Sequence, residues 1–415
     1  MKRQLPQISE LLPLMQFSKP SLDRRAARLS KTASISDLRA IGKRRTPKPA
    51  FDYVDGAAVD ERTADRTREA FLNCELIPRV LQGHQDVKLA TTIAGGPSAL
   101  PFGIAPTGFT RFMHSEGEDA GAASAAAHGI PFALSTMGTR SVEEVAAASG
   151  TGRRWFQLYL WRDREASRDL LRRARSNGFD ALIVTVDTPV AGQRLRDVRN
   201  GMTIPPKLTL STVVDAAWRP EWWFNFLTTD PLTFASLSNT THNLPELIDS
   251  MFDPTINMKD LAWIRENWDG PLLVKGILTP QDARMVIDAG ADGIVVSSHG
   301  GRQLDRAPLP LQALPAIRAE LGPDVDIIYD SGIRSGNDVA VALALGADFC
   351  LIGRAYLYGL MAGGRQGVDR AIELIANELS TSLHLLGVSG IDELSREHVR
   401  TPWDPREETK DSARS

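Results

Sequence analysis

From Phe102 onward, short apolar runs rich in β-branched and aromatic residues alternate with longer stretches whose apolar positions recur at helical spacing. The short runs predict strands over Phe102–Pro106, Phe132–Ser135, Trp155–Tyr159, Ala181–Asp187, Leu272–Gly276, Gly293–Ser298, Asp326–Asp330 and Phe349–Gly353. Helices are predicted between them over Glu116–His128, Ser141–Ala148, Arg164–Asn177, Pro280–Ala289, Leu311–Glu320 and Asn337–Leu345. Eight strands alternating with helices is the pattern of an α/β chain closed into a (β/α)8 TIM barrel. A doubly wound open sheet is the competing arrangement. It requires a glycine-rich dinucleotide fingerprint after an early strand, and no G-x-G-x-x-G stands at such a place.

Two regions stand outside this rhythm. Ahead of the barrel is a helical extension. Residues 1–34 read as an irregular arm with a short amphipathic piece around Ile8 to Phe17. Ser36 is the expected N-cap of a helix running to about Arg45, ended by Thr46-Pro47-Lys48-Pro49. A second helix is expected to begin at Phe51-Asp52-Tyr53-Val54-Asp55-Gly56 and to continue through the charged residues near 60–69. The other region is the connection 188–271 after the fourth strand, far longer than a βα unit needs. It carries Trp218, Trp222, Trp223, Phe224, Phe226 and Leu227. That cluster either packs in the insertion's own core or a subunit interface, or dips into a membrane interface, where tryptophan is favoured. The main domain is expected to span 35–400, and 401–415 to be a flexible tail.

Composition narrows the classes. At 415 residues and 42% hydrophobic, the chain can bury a large core. A net charge of -3 gives no pointer to nucleic acid. Cys74 and Cys350 are too few for a disulfide framework or a metal cluster and suit a reducing compartment. No apolar h-region follows the first basic residues, and no run approaches the roughly 18 residues of a membrane span. A cytoplasmic protein is expected, peripheral on the inner membrane's cytoplasmic face if the tryptophan patch meets lipid.

In a barrel the C-terminal ends of the strands converge on one mouth. Those positions hold Pro106, Thr107 and Gly108; Ser135; Gln157 and Tyr159; Thr185 and Asp187, with Arg194 soon after; Lys275; Ser297, His299 and Arg302; Asp330, Gly332 and Arg334; and Gly353 and Arg354. The last two turns supply glycine and arginine where barrels commonly cradle a phosphate, on a cofactor or on a substrate. Arg194 and Arg302 at one mouth repel unless an anion sits between them, which suits a carboxylate. His299 follows a buried strand with Asp187 available to orient it, a base and its partner. Lys275 places a positive charge where a reduced ring system becomes anionic. Tyr53 and Tyr159 can donate hydrogen bonds, Tyr53 only if the N-terminal helices fold over the mouth. Singly, each has a structural alternative: a core salt bridge for Lys275, helix caps for Arg334 and Arg354.

The motifs Phe-Asp-Tyr at 51–53, Ala-Pro-Thr-Gly at 105–108, Phe-Gln-Leu-Tyr at 156–159, Thr-Val-Asp-Thr-Pro at 185–189, Val-Lys-Gly at 274–276, Ser-Ser-His-Gly-Gly-Arg-Gln at 297–303 and Ile-Gly-Arg at 352–354 occur in an order that resembles the FMN-dependent α-hydroxy-acid dehydrogenases and oxidases. The resemblance covers about 35–400. Asp-Val-Arg-Asn-Gly-Met at 197–202, the Trp-Trp-Phe insertion and the 353–364 segment are most similar to the actinobacterial L-lactate dehydrogenases within that family. The resemblance implies FMN as cofactor. It implies His299 as the proton acceptor, Asp187 as its stabiliser, Arg194 and Arg302 on the substrate carboxylate, and Tyr53 and Tyr159 on the substrate. It further implies Lys275 beside the reduced flavin. Ser135, Gln157, Thr185, Ser297 and the backbone at Pro106–Gly108 would lie on the ring and ribityl chain, with Asp330, Gly332, Arg334, Gly353 and Arg354 on the ribityl and phosphate. It implies oxidation of an L-2-hydroxy acid such as L-lactate, a quinone or other membrane acceptor, a homotetramer, and membrane attachment through 188–271 in some members. An enzyme that uses O2, with lactate or a bulkier mandelate-like substrate, is the alternative reading. A non-catalytic flavin- or phosphate-binding barrel is the reading from another class, and the intact His299, Arg194, Arg302 and Lys275 argue against it. Four departures stand out: Ser298 where asparagine is commoner, Ser331 in a turn that usually reads Asp-Gly-Gly, Ala57 in place of a glycine common after Asp-Gly, and Met137 where glycolate oxidase carries a large aromatic.

Overall fold

The computed structural model describes residues 23–201, 217–230, 232 and 253–404. Eight parallel strands close on themselves: β1 (Phe102–Thr107), β2 (Phe132–Ser135), β3 (Arg154–Leu158), β4 (Ala181–Thr185), β5 (Leu272–Ile277), β6 (Gly293–Val296), β7 (Asp326–Asp330) and β8 (Phe349–Ile352). Each pairs with its successor in the chain, and β8 returns to β1. The α/β barrel is therefore the fold, and each predicted strand lies within two residues of the observed one. Side chains of alternate strand positions fill the interior, among them Ala105, Trp155, Ile183, Val295 and Phe349. Trp155 and Phe349 meet across it with ring centroids 5.8 Å apart. A hairpin of Thr91–Ile93 and Gly96–Ser98 plugs the N-terminal end. Arg153 fastens it by donating to the carbonyls of Ile93 and Gly96 at 2.9 and 2.7 Å.

The other end is left for the N-terminal extension to cover. Helix Ile35–Arg45 packs along the C-terminal helix Arg354–Leu386, where Gly42 lets the two backbones approach at Met361. Helix Lys48–Asp55 then delivers Tyr53 to the mouth. Its last carbonyls have no partner within the helix. Arg302 donates to the Tyr53 and Gly56 oxygens, and Arg354 to those of Val54 and Gly56. Two cations at a helix C-terminus also complement its dipole. Asp55 takes Arg39 at 2.6 Å and the Tyr358 hydroxyl at 2.8 Å, tying the segment to both neighbouring helices.

Several expectations need correction. The cap of the first long helix is Ser34, because it can form a reciprocal box with Asp37 three residues inside the helix; Ser36 has no such partner there. Lys48 and Pro49 begin the next helix, Pro49 in the first turn where no N–H is needed. The helix expected through 51–69 is two, Lys48–Asp55 and Arg62–Leu72, split by a turn in which Val59 and Glu61 have positive φ. The arm is not irregular throughout, since Arg24–Leu29 is a helix capped by Asp23; the Ile8 to Phe17 piece lies outside the described residues. The end of the 188–271 connection belongs to the barrel, because Met258–Asn267 is the helix between β4 and β5, buried through Leu261 and Ile264. The tail is anchored at first. Val399–Arg400 pairs with Glu75–Leu76, and Thr401 and Asp404 are buried; 405–415 lie outside the described residues.

Candidate active site

The strand ends open into a cavity with about 1200 Å3 of empty space, mouth included. Tyr53, Tyr159, Arg194, Arg302 and His299 line one part, with Lys275. Pro106, Thr107, Gly108 and Ser135 line another, and Asp330, Gly332, Arg334, Gly353 and Arg354 the far end. The remaining predicted residues, Asp187, Gln157, Thr185 and Ser297, stand behind that wall and hold it.

His299 sits on a turn that few sequences can make. His299, Gly300 and Gly301 all have positive φ, at 56°, 64° and 74°. At Gly301 the reason is also spatial: a Cβ would stand 2.7 Å from the Ala64 nitrogen of the covering helix. The strain at His299 is of the kind that persists where surrounding structure over-determines it. Here the Ser297 hydroxyl accepts from the His299 N–H at 2.9 Å. The ring Nδ1 lies 2.9 Å from Asp187 Oδ1. A carboxylate only accepts, so Nδ1 carries the proton and Nε2 is left as the basic nitrogen. Burial pushes the His299 pKa below its ordinary value, with Asp187 pulling the other way. Burial would raise Asp187, but the charges of His299 and Lys275 and the His299 hydrogen bond hold it below the usual carboxylate range. Its second oxygen, Oδ2, is buried without a partner among the described residues. Room for Asp187 comes from a bulge in β5: a Cβ on Gly276 would lie 2.6 Å from the Asp187 Cβ.

Tyr53 lies between two cations. The Arg302 guanidinium is 4.9 Å and that of Arg194 5.5 Å from its ring centroid. Burial, then repulsion from Arg194, pushes Arg302 down to about 10. Asp197 pairs with Arg194 at 3.3 Å and only partly offsets this excess of positive charge. The pair is therefore set to take an anion.

The rest of the cavity fits a flavin mononucleotide. Ser135 donates to Gln157 Oε1 at 2.9 Å and Gln157 Nε2 to Thr185 at 3.0 Å, so the ends of β2, β3 and β4 carry a fixed belt of donors and acceptors. Such a belt matches the polar edge of an isoalloxazine ring. The buried Lys275 ammonium is held by Ser297 at 3.2 Å, with Asp330 at 3.7 Å. Gly332, with φ of 89°, and Gly353 expose backbone at the far end, beside Arg334 and Arg354. A phosphate there would meet positive charge and closely approachable backbone. The Arg354 guanidinium is not free for a fork, however: its donors go to the carbonyls of Val54, Gly300 and Gly56. It contributes charge and a brace.

Met113, Ala191 and Leu357 also line the cavity and were not singled out from sequence. Their local pattern reads as core or loop, so no signal marked them. Gln303, which donates to the carbonyls of Asp187 and Val190 and accepts from the Gly192 N–H, was within the quoted motif and fixes the loop after β4. The two departures at 298 and 331 meet. The Ser298 and Ser331 hydroxyls are 3.2 Å apart, and Ser331 Oγ also accepts from the N–H groups of Ser298 and Gly300 while donating to Asp330 at 2.9 Å.

A family model described as FMN-dependent dehydrogenase matches residues 42–401. A Mycobacterium tuberculosis protein named "Putative L-lactate dehydrogenase" is 54% identical over 397 residues, covering 96% of each chain. The L-lactate dehydrogenase of Caulobacter vibrioides is 43% identical over 366 residues, 86% of this chain and 95% of that one. Among solved structures, a monotopic membrane protein, (S)-mandelate dehydrogenase, superposes with a TM-score of 0.86 at 35% identity, over 89% of this chain and all of that one. A mandelate oxidase superposes at 0.76 with 36% identity, over 89% of this chain and 98% of the other.

Proposed function

Because the chain belongs to the FMN-dependent dehydrogenase family, we propose that it oxidises L-lactate to pyruvate and passes the electrons to a quinone or another membrane acceptor. One observation carries the reading: a histidine base bonded to a buried carboxylate faces the same cavity as two arginines flanking a tyrosine ring. Relatives named L-lactate dehydrogenase, at 42–54% identity, support lactate over the mandelates of the 34–36% structural neighbours.

FMN, when bound, would supply the two-electron acceptor for the oxidation. The chain's own residues do the rest. Arg302 and Arg194 hold the carboxylate, and Tyr53 and Tyr159 hydrogen-bond the substrate. His299 Nε2 takes its proton, and Asp187 stabilises the imidazolium that forms. Lys275 would place a positive charge beside the ring system. Ser135, Gln157, Thr185, Ser297 and the backbone at Pro106, Thr107 and Gly108 would hold the ring and ribityl chain. Asp330, Gly332, Arg334, Gly353 and Arg354 would hold the ribityl and phosphate.

The test is a two-stage stopped-flow experiment. L-Lactate is expected to bleach the oxidised enzyme anaerobically, faster than (S)-mandelate does, and a soluble quinone to restore the yellow colour faster than air. No bleaching by any 2-hydroxy acid would overturn the reading; faster recovery in air would reassign the protein as an oxidase.

Membrane contact belongs to the same proposal and has a sharper outline than the tryptophan count. Helix Pro220–Thr228 of the insertion is held down by Trp222, which is buried, donates to the Phe112 carbonyl at 3.1 Å and stacks on Phe226. Trp218, Phe224 and Leu227 are 85%, 69% and 69% exposed. No helix among the described residues is long and apolar enough to cross a membrane, so contact would be interfacial. Replacing Trp218, Phe224 and Leu227 with serine is expected to weaken sedimentation with vesicles roughly tenfold or more while leaving FMN content unchanged. Equal sedimentation of the triple variant would assign that face to something else.

A further inference from the structure

The loop that leads to Arg194 has little of its own to hold it. Between Asp187, at the end of β4, and helix Leu195–Arg199 the chain is irregular, and Val190 is 62% exposed. Thr188 and Ala191 of this loop nevertheless line the cavity, so its course shapes the substrate end. Among the described residues, the backbone of 188–193 is hydrogen-bonded to the rest of the protein in two ways. The Val59 N–H donates to the Gln193 carbonyl at 2.8 Å. The other bonds all go to one side chain, Gln303, in the turn after β6.

Gln303 spends both ends of its amide there. Nε2 donates to the carbonyls of Asp187 and Val190 at 3.2 and 3.0 Å, and Oε1 accepts from the Gly192 N–H at 3.2 Å. The partners fix which end is which, because two carbonyls need a donor and an N–H needs an acceptor. The two segments also touch directly. A Cβ on Gly192 would stand 2.3 Å from the Arg302 carbonyl oxygen and 2.8 Å from the Gln303 Cα.

Gln303 follows Arg302 in the chain. Its side chain therefore runs from the backbone beside one guanidinium to the loop that ends in the other. Arg302 is fixed from its own side by the carbonyls of Tyr53 and Gly56. Arg194 makes its ion pair with Asp197, within its own segment. Downstream, Arg196 ties that segment to Asp55 of the N-terminal cover. Gln303 is what ties it to the barrel.

We propose that Gln303 is a positioning residue that sets the separation of Arg194 from Arg302, and through it the fit of the substrate carboxylate. The inference rests on the reading that these two arginines take that carboxylate. The two oxygens of a carboxylate are a fixed distance apart, so a site made by two arginines tolerates little drift of one against the other.

The test uses FMN-loaded enzyme, with oxalate binding read from the flavin spectrum. Gln303→Met keeps the length of the side chain and removes its three bonds. Gln303→Asn keeps the amide and withdraws it, and serves if the methionine variant does not hold FMN. Oxalate is expected to bind about tenfold more weakly in either variant, with KM for L-lactate rising similarly and the limiting rate of bleaching changing less. A double-mutant cycle separates positioning from contact: in an Arg194→Met background, Gln303→Met is expected to weaken oxalate by less than about twofold. Losses that add in full would make Gln303 a substrate contact in its own right and overturn the inference. Wild-type oxalate affinity in the single variants would overturn it as well, and so would loss of FMN from both, which would assign Gln303 to the fold. Arg194→Met binding oxalate as tightly as wild type would instead overturn the carboxylate reading beneath it.

Discussion

His299→Ala is expected to bind FMN normally and to lose bleaching by L-lactate by roughly 10³-fold, within the range a positioned base contributes. Among the described residues, nothing nearby can stand in. Asp187 reaches the substrate only through the imidazole, and burial raises the Tyr159 hydroxyl above its ordinary value, so it is no base near neutrality. The pH dependence has a definite sign. The active form is the neutral ring, and burial lowers its pKa. Bleaching should therefore hold through about pH 6.5, the ordinary histidine value, and decline only as pH falls through the lowered one. Asp187→Asn removes the group that pulls the histidine pKa up, so its acid limb should move to lower pH. The rate should nevertheless drop, because the imidazolium loses its counter-charge and the amide can fix the wrong tautomer. Stopped-flow bleaching from pH 5 to 8 measures both, at a buffer range set by that ordinary value. An unchanged rate in His299→Ala would remove the histidine from the chemistry.

The second large effect is expected on the anion side. Arg302→Met should lower kcat/KM for L-lactate by about 10²- to 10³-fold, since a charge-assisted fork to a carboxylate is among the stronger hydrogen-bonding arrangements. Arg302→Lys should recover only part, because a lysine keeps the charge and loses the fork. Arg302 has a second task. It holds the carbonyls of Tyr53 and Gly56, so its loss also loosens the segment that presents Tyr53. The two contributions separate experimentally. Binding of oxalate, read from the flavin spectrum, reports the anion site alone. Tyr53→Phe, which keeps the ring between the two guanidiniums, reports the hydroxyl. If oxalate binds Arg302→Met as tightly as wild type, the carboxylate is held elsewhere.

How much of this was legible in the sequence follows from which interactions set each feature. The strands were readable because a barrel strand is buried on both faces. Its sequence is then a continuous apolar run such as Gly293-Ile294-Val295-Val296, ended by a turn that must be polar or glycine. Strand ends meet at one mouth by topology alone, so His299, Lys275 and Arg334 could be gathered without knowing any distance. Boundaries set by side-chain reciprocity were not readable in the same way. Ser34 and Ser36 are equally good caps by residue type, and only the bond back from Asp37 decides between them. The break at 56–61 depends on Gly56 lying against the carbonyl of Asp52 and on Arg196 reaching Glu61 from the insertion, a tertiary contact. The tryptophan cluster divided for the same reason. Trp222 found the Phe112 carbonyl and went inside, while Trp218 stayed out. Arg354 was placed correctly at the cavity, yet its bonds to three backbone carbonyls followed from helix ends brought there by another part of the chain.

The contact between Ser298 and Ser331 ties the energetics of the two positions together. Ser331 occupies φ of 97°, a conformation that favours glycine, so the serine costs backbone strain. Its hydroxyl offsets that cost by serving the N–H groups of Ser298 and Gly300 and by bonding to Asp330. Replacement of Ser331 by glycine would relieve the backbone and strip those groups of their acceptor in one step. A lone asparagine at 298 would press a larger side chain onto a position already filled by the other hydroxyl. The two positions are therefore coupled, and Ser298→Asn and Ser331→Gly are expected to change thermal stability non-additively, which a double-mutant cycle measures.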